Sequence, residues 1–222
     1  MSGERSDSII LDFFAGSGTT AQAVLEANKE SGQNHSYILV QLPEKCEEKS
    51  TAFKKGYRRI SDVTKKRLTN LAEIYNGSTR DAGFRKFELR ESNFVFWKSK
   101  VIDKSDLQST LDLSIDNVNP KATQIDLLFE IVLKSGFSCS EIISEVKLAG
   151  KVVFSIANGA LLICLEDKLT AELIDAVIEL EPMQFICLDK GFQGNDQLKA
   201  NTAQAFKTHS QNSDVETVFK VV

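Results

Sequence analysis

The sequence has 222 residues, 42% hydrophobic and 26% charged, a globular balance that excludes a disordered tail; with no internal repeat, it also excludes a solenoid array. Its longest apolar runs, such as Ala160 to Leu165, fall far short of the roughly 20 residues that cross a bilayer. Met1 to Ser8 lacks the basic start and long apolar stretch of a secretory signal, so the expectation is a cytoplasmic protein with no membrane partner.

Ser8 to Phe13 (SIILDF) has the length and apolarity of a strand, and Thr19 to Asn28 places Ala21, Val24, Leu25 and Asn28 at helical spacing. Between them lies the glycine turn Ala15-Gly16-Ser17-Gly18. Tyr37 to Leu42 (YILVQL) is the next apolar run and stops at Pro43. It completes a strand, helix, strand unit, which requires parallel pairing. Glu47 to Tyr75 reads as helical with an interruption at Gly56, its apolar positions being Ile60, Val63, Leu68, Leu71 and Ile74, and it ends at Asn76-Gly77. Phe84 to Leu89 (FRKFEL) alternates as a half-buried strand does, and Asn93 to Lys98 adds Phe94, Phe96 and Trp97, which read as packing against a domain.

Lys100 to Ala122, polar and carrying Pro120, reads as a linker. Beyond it, Thr123 to Ser135 is an amphipathic helix, and Lys151 to Ile156 and Ala160 to Leu165 form a hairpin about Asn158-Gly159. Helix Thr170 to Glu181, strand Met183 to Leu188, helix Asp196 to Thr208 and strand Val215 to Val222 follow. The expected fold class is α/β in two domains, residues 1–99 and 123–222, joined by 100–122.

The net charge of -4 is uneven: Lys45 to Lys100 holds 15 Lys and Arg against 7 Asp and Glu, an excess of eight, which leaves the remainder at -12. Such a stretch fits an anionic partner such as DNA, or a solvated helix face. Cys46, Cys139, Cys164 and Cys187 form no C-x-x-C pair, and His35 and His209 are isolated. No zinc site or Cys-His nucleophile is expected; the cysteines read as buried thiols and the histidines as surface residues.

The chemistry is concentrated in Asp12-Phe13-Phe14-Ala15-Gly16-Ser17-Gly18-Thr19-Thr20. Two glycines between strand and helix let backbone approach a ligand, and the helix N-terminus offers amides to it. A P-loop needs Lys before the helix Ser or Thr, which Gly18-Thr19-Thr20 lacks, so ATP is disfavoured. Gly16, Gly18 and Ala21 satisfy the dinucleotide pattern G-x-G-x-x-G/A, but the Asp12 carboxylate beside the loop repels a pyrophosphate. The same carboxylate suits a cation, and the α-ammonium of S-adenosylmethionine is one.

The string Leu11 to Thr20 resembles the cofactor motif of amino-methylating DNA methyltransferases, in particular the modification subunit of Type III restriction-modification systems. Ile38 to Glu44, Gly56-Tyr57-Arg58-Arg59-Ile60, Gly83 to Phe87, Asp126 to Glu130 and Gly191-Phe192 resemble further segments of that subunit in the same order. The resemblance implies a partial Rossmann-like methyltransferase fold followed by a second small α/β domain. It implies S-adenosylmethionine as cofactor, held by Asp12, Phe14, Ala15, Gly16, Ser17, Gly18 and Thr19, with Gln41 or Glu44 at the ribose hydroxyls.

That family's catalytic motif is Asp-Pro-Pro-Tyr or a close variant. Here the prolines are Pro43, Pro120 and Pro182, none adjacent to another. In the family's order of parts, this motif and the target-recognition domain precede the cofactor loop. The resemblance therefore implies the C-terminal part of a site-specific DNA adenine-N6 methyltransferase, inactive alone, from a truncated gene, a split gene or an excised fragment. Implied partners are DNA through the complete enzyme, the missing N-terminal segment, a restriction-helicase subunit and a second copy in a homodimer. Two other functions stay open: a non-enzymatic assembly module and an NAD-dependent oxidoreductase.

Overall fold

The first apolar run forms β1 (Ile9–Asp12), and the glycine turn leads into α1 (Thr19–Ser31), which ends where Gly32 adopts a φ of 69° and returns its N–H to Asn28. The computed structural model describes residues 7–77, 82–94, 118–213 and 215–222, in two compact units that divide between Leu89 and Arg90. In the first unit, β2 (Ser36–Leu39) pairs parallel with β1, from Ile9 beside Ser36 to Asp12 beside Leu39. The Asn28 side chain closes the α1 to β2 connection, donating to the His35 carbonyl and accepting the His35 N–H, each at 2.8 Å. His35 is half-buried here and its Nδ1 accepts the Ser8 N–H at 3.1 Å, so it is part of the connection as well as of the surface.

Gly56, at a φ of 92°, separates the short α2 (Thr51–Lys54) from α3 (Ile60–Tyr75). The buried stripe of α3 is Thr64, Leu68, Leu71 and Tyr75; Leu68, Leu71 and Tyr75 pack with Ala21 and Leu25 of α1 and with Tyr37 and Leu39 of β2. Leu68 and Leu71 bury as expected, but Ile74 is 68% exposed, and Tyr75 and the polar Thr64 sit inside in place of Ile74 and Val63. The expected strand Phe84 to Leu89 forms no ladder. Phe84 tucks against this core while Leu89 is fully exposed; alternation marks a wet and a dry side but supplies no neighbouring strand.

The second unit holds α4 (Gln124–Lys134), β3 (Ile143–Leu148), β4 (Lys151–Ile156), β5 (Leu161–Cys164), α5 (Ala171–Ile178), β6 (Gln184–Cys187), α6 (Asp196–Asn212) and β7 (Val218–Val221). The sheet runs β3-β4-β5-β6-β7, antiparallel through β5 and parallel beyond it. Successive strand residues bury on opposite faces. Ile163 and Ile186 pack with Leu128, Ile131 and Val132 of α4, whereas Leu162 and Phe185 pack with Leu173 and Val177 of α5 and Phe206 of α6. The hairpin about Asn158-Gly159 forms as expected, but its strands are interior, so it offers no free edge to a partner; the outer strands are β3 and β7. Cys164 and Cys187 are buried neighbours across β5 and β6, and burial pushes both thiols above their usual range.

Of the aromatic cluster at residues 93–98, Phe94 lies buried in the second unit's core; Phe96 and Trp97 lie outside the described residues, as does most of the expected linker, 100–117. Phe94 is held there by Glu130 of α4. The Glu130 carboxylate accepts the Ser92 hydroxyl at 2.5 Å, the Asn93 N–H at 2.7 Å and the Asn93 amide at 2.9 Å, and pairs with Lys134 at 2.7 Å. Burial alone raises its pKa, yet Lys134, Ser92 and Asn93 together lower it from 4.5 to about 2.

A carboxylate depressed on folding stabilises above its unfolded pKa and stops doing so as pH falls through the folded one, so this contribution is complete near pH 7 and disappears between about pH 5 and pH 2. Glu130→Gln should therefore cost the second unit about 2 kcal/mol at pH 7 and converge with the native chain in acid. Denaturant unfolding at pH 7 and pH 3 measures this, and parallel pH dependences in the two proteins would show that Glu130 contributes nothing through its charge.

Candidate cofactor-binding site

Asp12 ends β1, and both its carboxylate oxygens turn into the loop that follows: Oδ1 accepts the Phe14 N–H at 3.0 Å and Oδ2 accepts the Thr20 hydroxyl at 2.5 Å. One acid thus ties the strand end to the first turn of α1. The loop is threaded to β2 by backbone, the Val40 N–H donating to the Asp12 carbonyl at 2.8 Å and the Ala15 N–H to the Val40 carbonyl at 3.1 Å. Gly18 is the N-cap of α1 with a φ of 81°; having no side chain it caps nothing, and no acid occupies the first turn. The N-terminal amides of α1 therefore present partial positive charge without a side-chain cap.

Gly16, at a φ of 54°, is held from two sides. Its N–H donates to Gln41 Oε1 at 2.7 Å, and its carbonyl accepts the Thr64 hydroxyl of α3 at 2.5 Å. The Gln41 amide also donates to the Leu42 carbonyl at 3.1 Å. From α3, Arg67 donates to Gln22 of α1 at 2.9 Å, so the third helix braces both the loop and the helix it opens.

Of the residues the sequence singles out, Gly16 and Gln41 are joined by a direct hydrogen bond, and Asp12 bonds to Phe14 and Thr20 of the same strand-to-helix connection. Ala15 and Gly18 are buried within the turn, Ser17 is half-buried and Thr19 is exposed. Phe14 is 77% exposed, its ring 5.1 Å from that of Phe13. Glu44 is exposed and meets the start of α3 through its carbonyl, which accepts the Ile60 N–H at 3.0 Å. Thr64 was missed by sequence reasoning. Its signal is a hydroxyl residue on the stripe 64, 68, 71 and 75 of an otherwise apolar helix face. Among the described residues, no group of three His, Cys, Asp or Glu side chains is placed to hold a metal ion.

No family model matches the chain. It aligns with the Type III restriction-modification enzyme EcoP15I Mod subunit of Escherichia coli at 29% identity over 218 residues, 95% of this chain and 32% of that protein. The EcoPI Mod subunit of Escherichia phage P1 is 27% identical over 222 residues, 96% of this chain and 33% of its own length. The chain is thus similar to Type III Mod subunits along nearly its whole length. Its length spans about a third of these relatives. The Type II methyltransferase M.KpnI of Klebsiella pneumoniae is 36% identical over 85 residues, 38% of this chain and 19% of that protein.

Proposed function

We propose that the chain is the S-adenosylmethionine-binding and C-terminal part of a Type III restriction-modification DNA methyltransferase acting on adenine N6. The observation that carries this is the Asp12 carboxylate set beside the uncapped N-terminus of α1 across a two-glycine turn. The donor set fits the cofactor. Asp12 keeps acceptor capacity beyond its two hydrogen bonds, enough to take a charge-assisted bond from an ammonium group. Around Gly16 only the Phe14 carbonyl comes within 4 Å of where a Cβ would stand, at 3.8 Å, so the loop is open to a ligand. Bound there, the cofactor supplies an electrophilic methyl group on its sulfonium.

The residues then divide the work. Asp12 holds the ammonium end, the backbone of Gly16 to Thr19 lines the approach, and the exposed Phe14 ring offers an apolar wall. The Gln41 carboxamide is engaged by Gly16 and Leu42, which leaves the ribose hydroxyls to the exposed Glu44 carboxylate. Lys54, Lys55, Arg58, Arg59, Lys65 and Lys66 are exposed around α2 and α3 and suit the phosphates of DNA, while Asp62 accepts the Arg59 N–H at 3.0 Å and caps α3 instead of screening them. In the complete enzyme a segment carrying the adenine pocket, a restriction-helicase subunit and a second Mod copy are the proposed partners.

Calorimetric titration tests the cofactor. The native chain should bind S-adenosylmethionine and not NAD, and Asp12→Asn, which keeps the shape and removes the charge, should weaken that binding about tenfold. Equal affinity in the variant would confine Asp12 to the architecture of the turn. NAD binding in place of S-adenosylmethionine would move the chain to the oxidoreductases.

A further inference from the structure

Gly16 is a residue whose two backbone polar groups are both taken by side chains from elsewhere in the chain, Gln41 beyond β2 and Thr64 on α3. We propose that Gln41 and Thr64 are positioning residues that preset the glycine loop for its ligand without touching it. The proposal rests on the reading of this loop as the S-adenosylmethionine site and extends it to how the site is held.

The chemistry of each side chain suits the task. Gln41 is fixed in orientation because its amide donates to the Leu42 carbonyl, which turns Oε1 toward the Gly16 N–H. The Thr64 hydroxyl has one proton to give and two carbonyls in reach, Gly16 at 2.5 Å and Ile60 of its own helix at 3.2 Å; the shorter contact takes it. Thr64 is itself buried, so this hydroxyl has no water to turn to. Its methyl group lies 3.1 Å from where a Gly18 Cβ would stand, so one threonine grips the first glycine and packs beneath the second.

A turn with two glycines has the largest conformational freedom to lose on binding, and two pins on one peptide remove much of it before any ligand arrives. Affinity should then depend on residues that make no ligand contact. Because the pins act on the same residue, their losses should not multiply.

The test pairs two deletions with one conservative change. Thr64→Val removes the hydroxyl and Gln41→Met removes both carboxamide hydrogen bonds at near-constant shape, whereas Thr64→Ser keeps the hydroxyl. Amide hydrogen exchange at Gly16 in the ligand-free chain should be slow in the native protein and in Thr64→Ser, and at least tenfold faster in the deletions. Titration with S-adenosylmethionine should show affinity down about tenfold in each deletion, by less than the product in the double variant, and near native in Thr64→Ser. Native affinity in both deletions, or failure of Thr64→Ser to restore it, would overturn the assignment. The two readings fail separately: a native chain with a protected Gly16 amide and no S-adenosylmethionine binding removes the cofactor, whereas an unprotected native Gly16 amide removes the clamp.

Discussion

Gly18→Val should abolish S-adenosylmethionine binding in calorimetry and destabilise the first unit by about 2–4 kcal/mol, while the second unit keeps its native unfolding midpoint. The backbone at Gly18 has a φ of 81°, a conformation that is a true outlier for a β-branched residue. An added Cβ would also meet the Thr64 methyl at 3.1 Å, with Leu39 and Arg67 close behind, so the turn and the packing of α1 on α3 are disturbed together. The cause is internal to the turn; loss of binding here reports the loop's architecture and not a ligand contact. Gly16→Ala separates the two effects. It has left-handed strain at a φ of 54° but nothing nearer than 3.8 Å, and should cost only about 1 kcal/mol of stability. Hydrogen exchange resolved by unit reads both variants, and a Gly18→Val chain with native affinity would remove the loop from the site altogether.

The strand, glycine turn and helix of the candidate site are legible in sequence because local chemistry decides them. A short apolar strand, two glycines and a helix start leave few ways to fold, and the one acid at the strand end marks where charge meets the turn. What the sequence left out is what arrives from far along the chain. Thr64 is 48 residues from Gly16, and no local period links them. A related ambiguity shifted two positions of the α3 stripe, since Val63 and Thr64, like Ile74 and Tyr75, stand side by side, and composition favours the aliphatic of each pair over the one that buries.

Turn chemistry explains the largest omission in the fold. Strand β3 went unread because its hairpin to β4 turns on Ala149 and Gly150, both at positive φ, where Asn-Gly is the recognisable pair. Asn158-Gly159 carries that signal and was read. Without β3 the hairpin has no visible neighbour beside β4, whereas β3 and β6 flank it on either side. Within the second unit, apolar runs such as Leu161 to Leu165 bury both faces, and continuous hydrophobicity of that kind marks an interior strand.

Alone, the chain should transfer no methyl group to adenine in duplex DNA. Methylation of an exocyclic amine requires the base to leave the stack and enter a pocket that reads it, and then to meet the methyl donor in line. The resemblance places that pocket at an Asp-Pro-Pro-Tyr motif, and no two prolines are adjacent here. Roughly two thirds of each Mod relative lies outside the matched region, room enough for such a motif. Without it, a chain that binds S-adenosylmethionine as proposed has no means of orienting the base, and the advantage lost, an effective molarity of about 10⁵ M or more, leaves transfer at background. Binding and transfer should therefore separate: S-adenosylmethionine titrates onto the chain, while labelled methyl incorporation into DNA stays at the level of a protein-free control. Adding a polypeptide that comprises the rest of a Mod-type subunit should restore incorporation only with native Asp12, because the acid holds the donor whichever chain brings the base. N6-methyladenine made by these 222 residues unaided would place the adenine pocket within them and refute this division of labour.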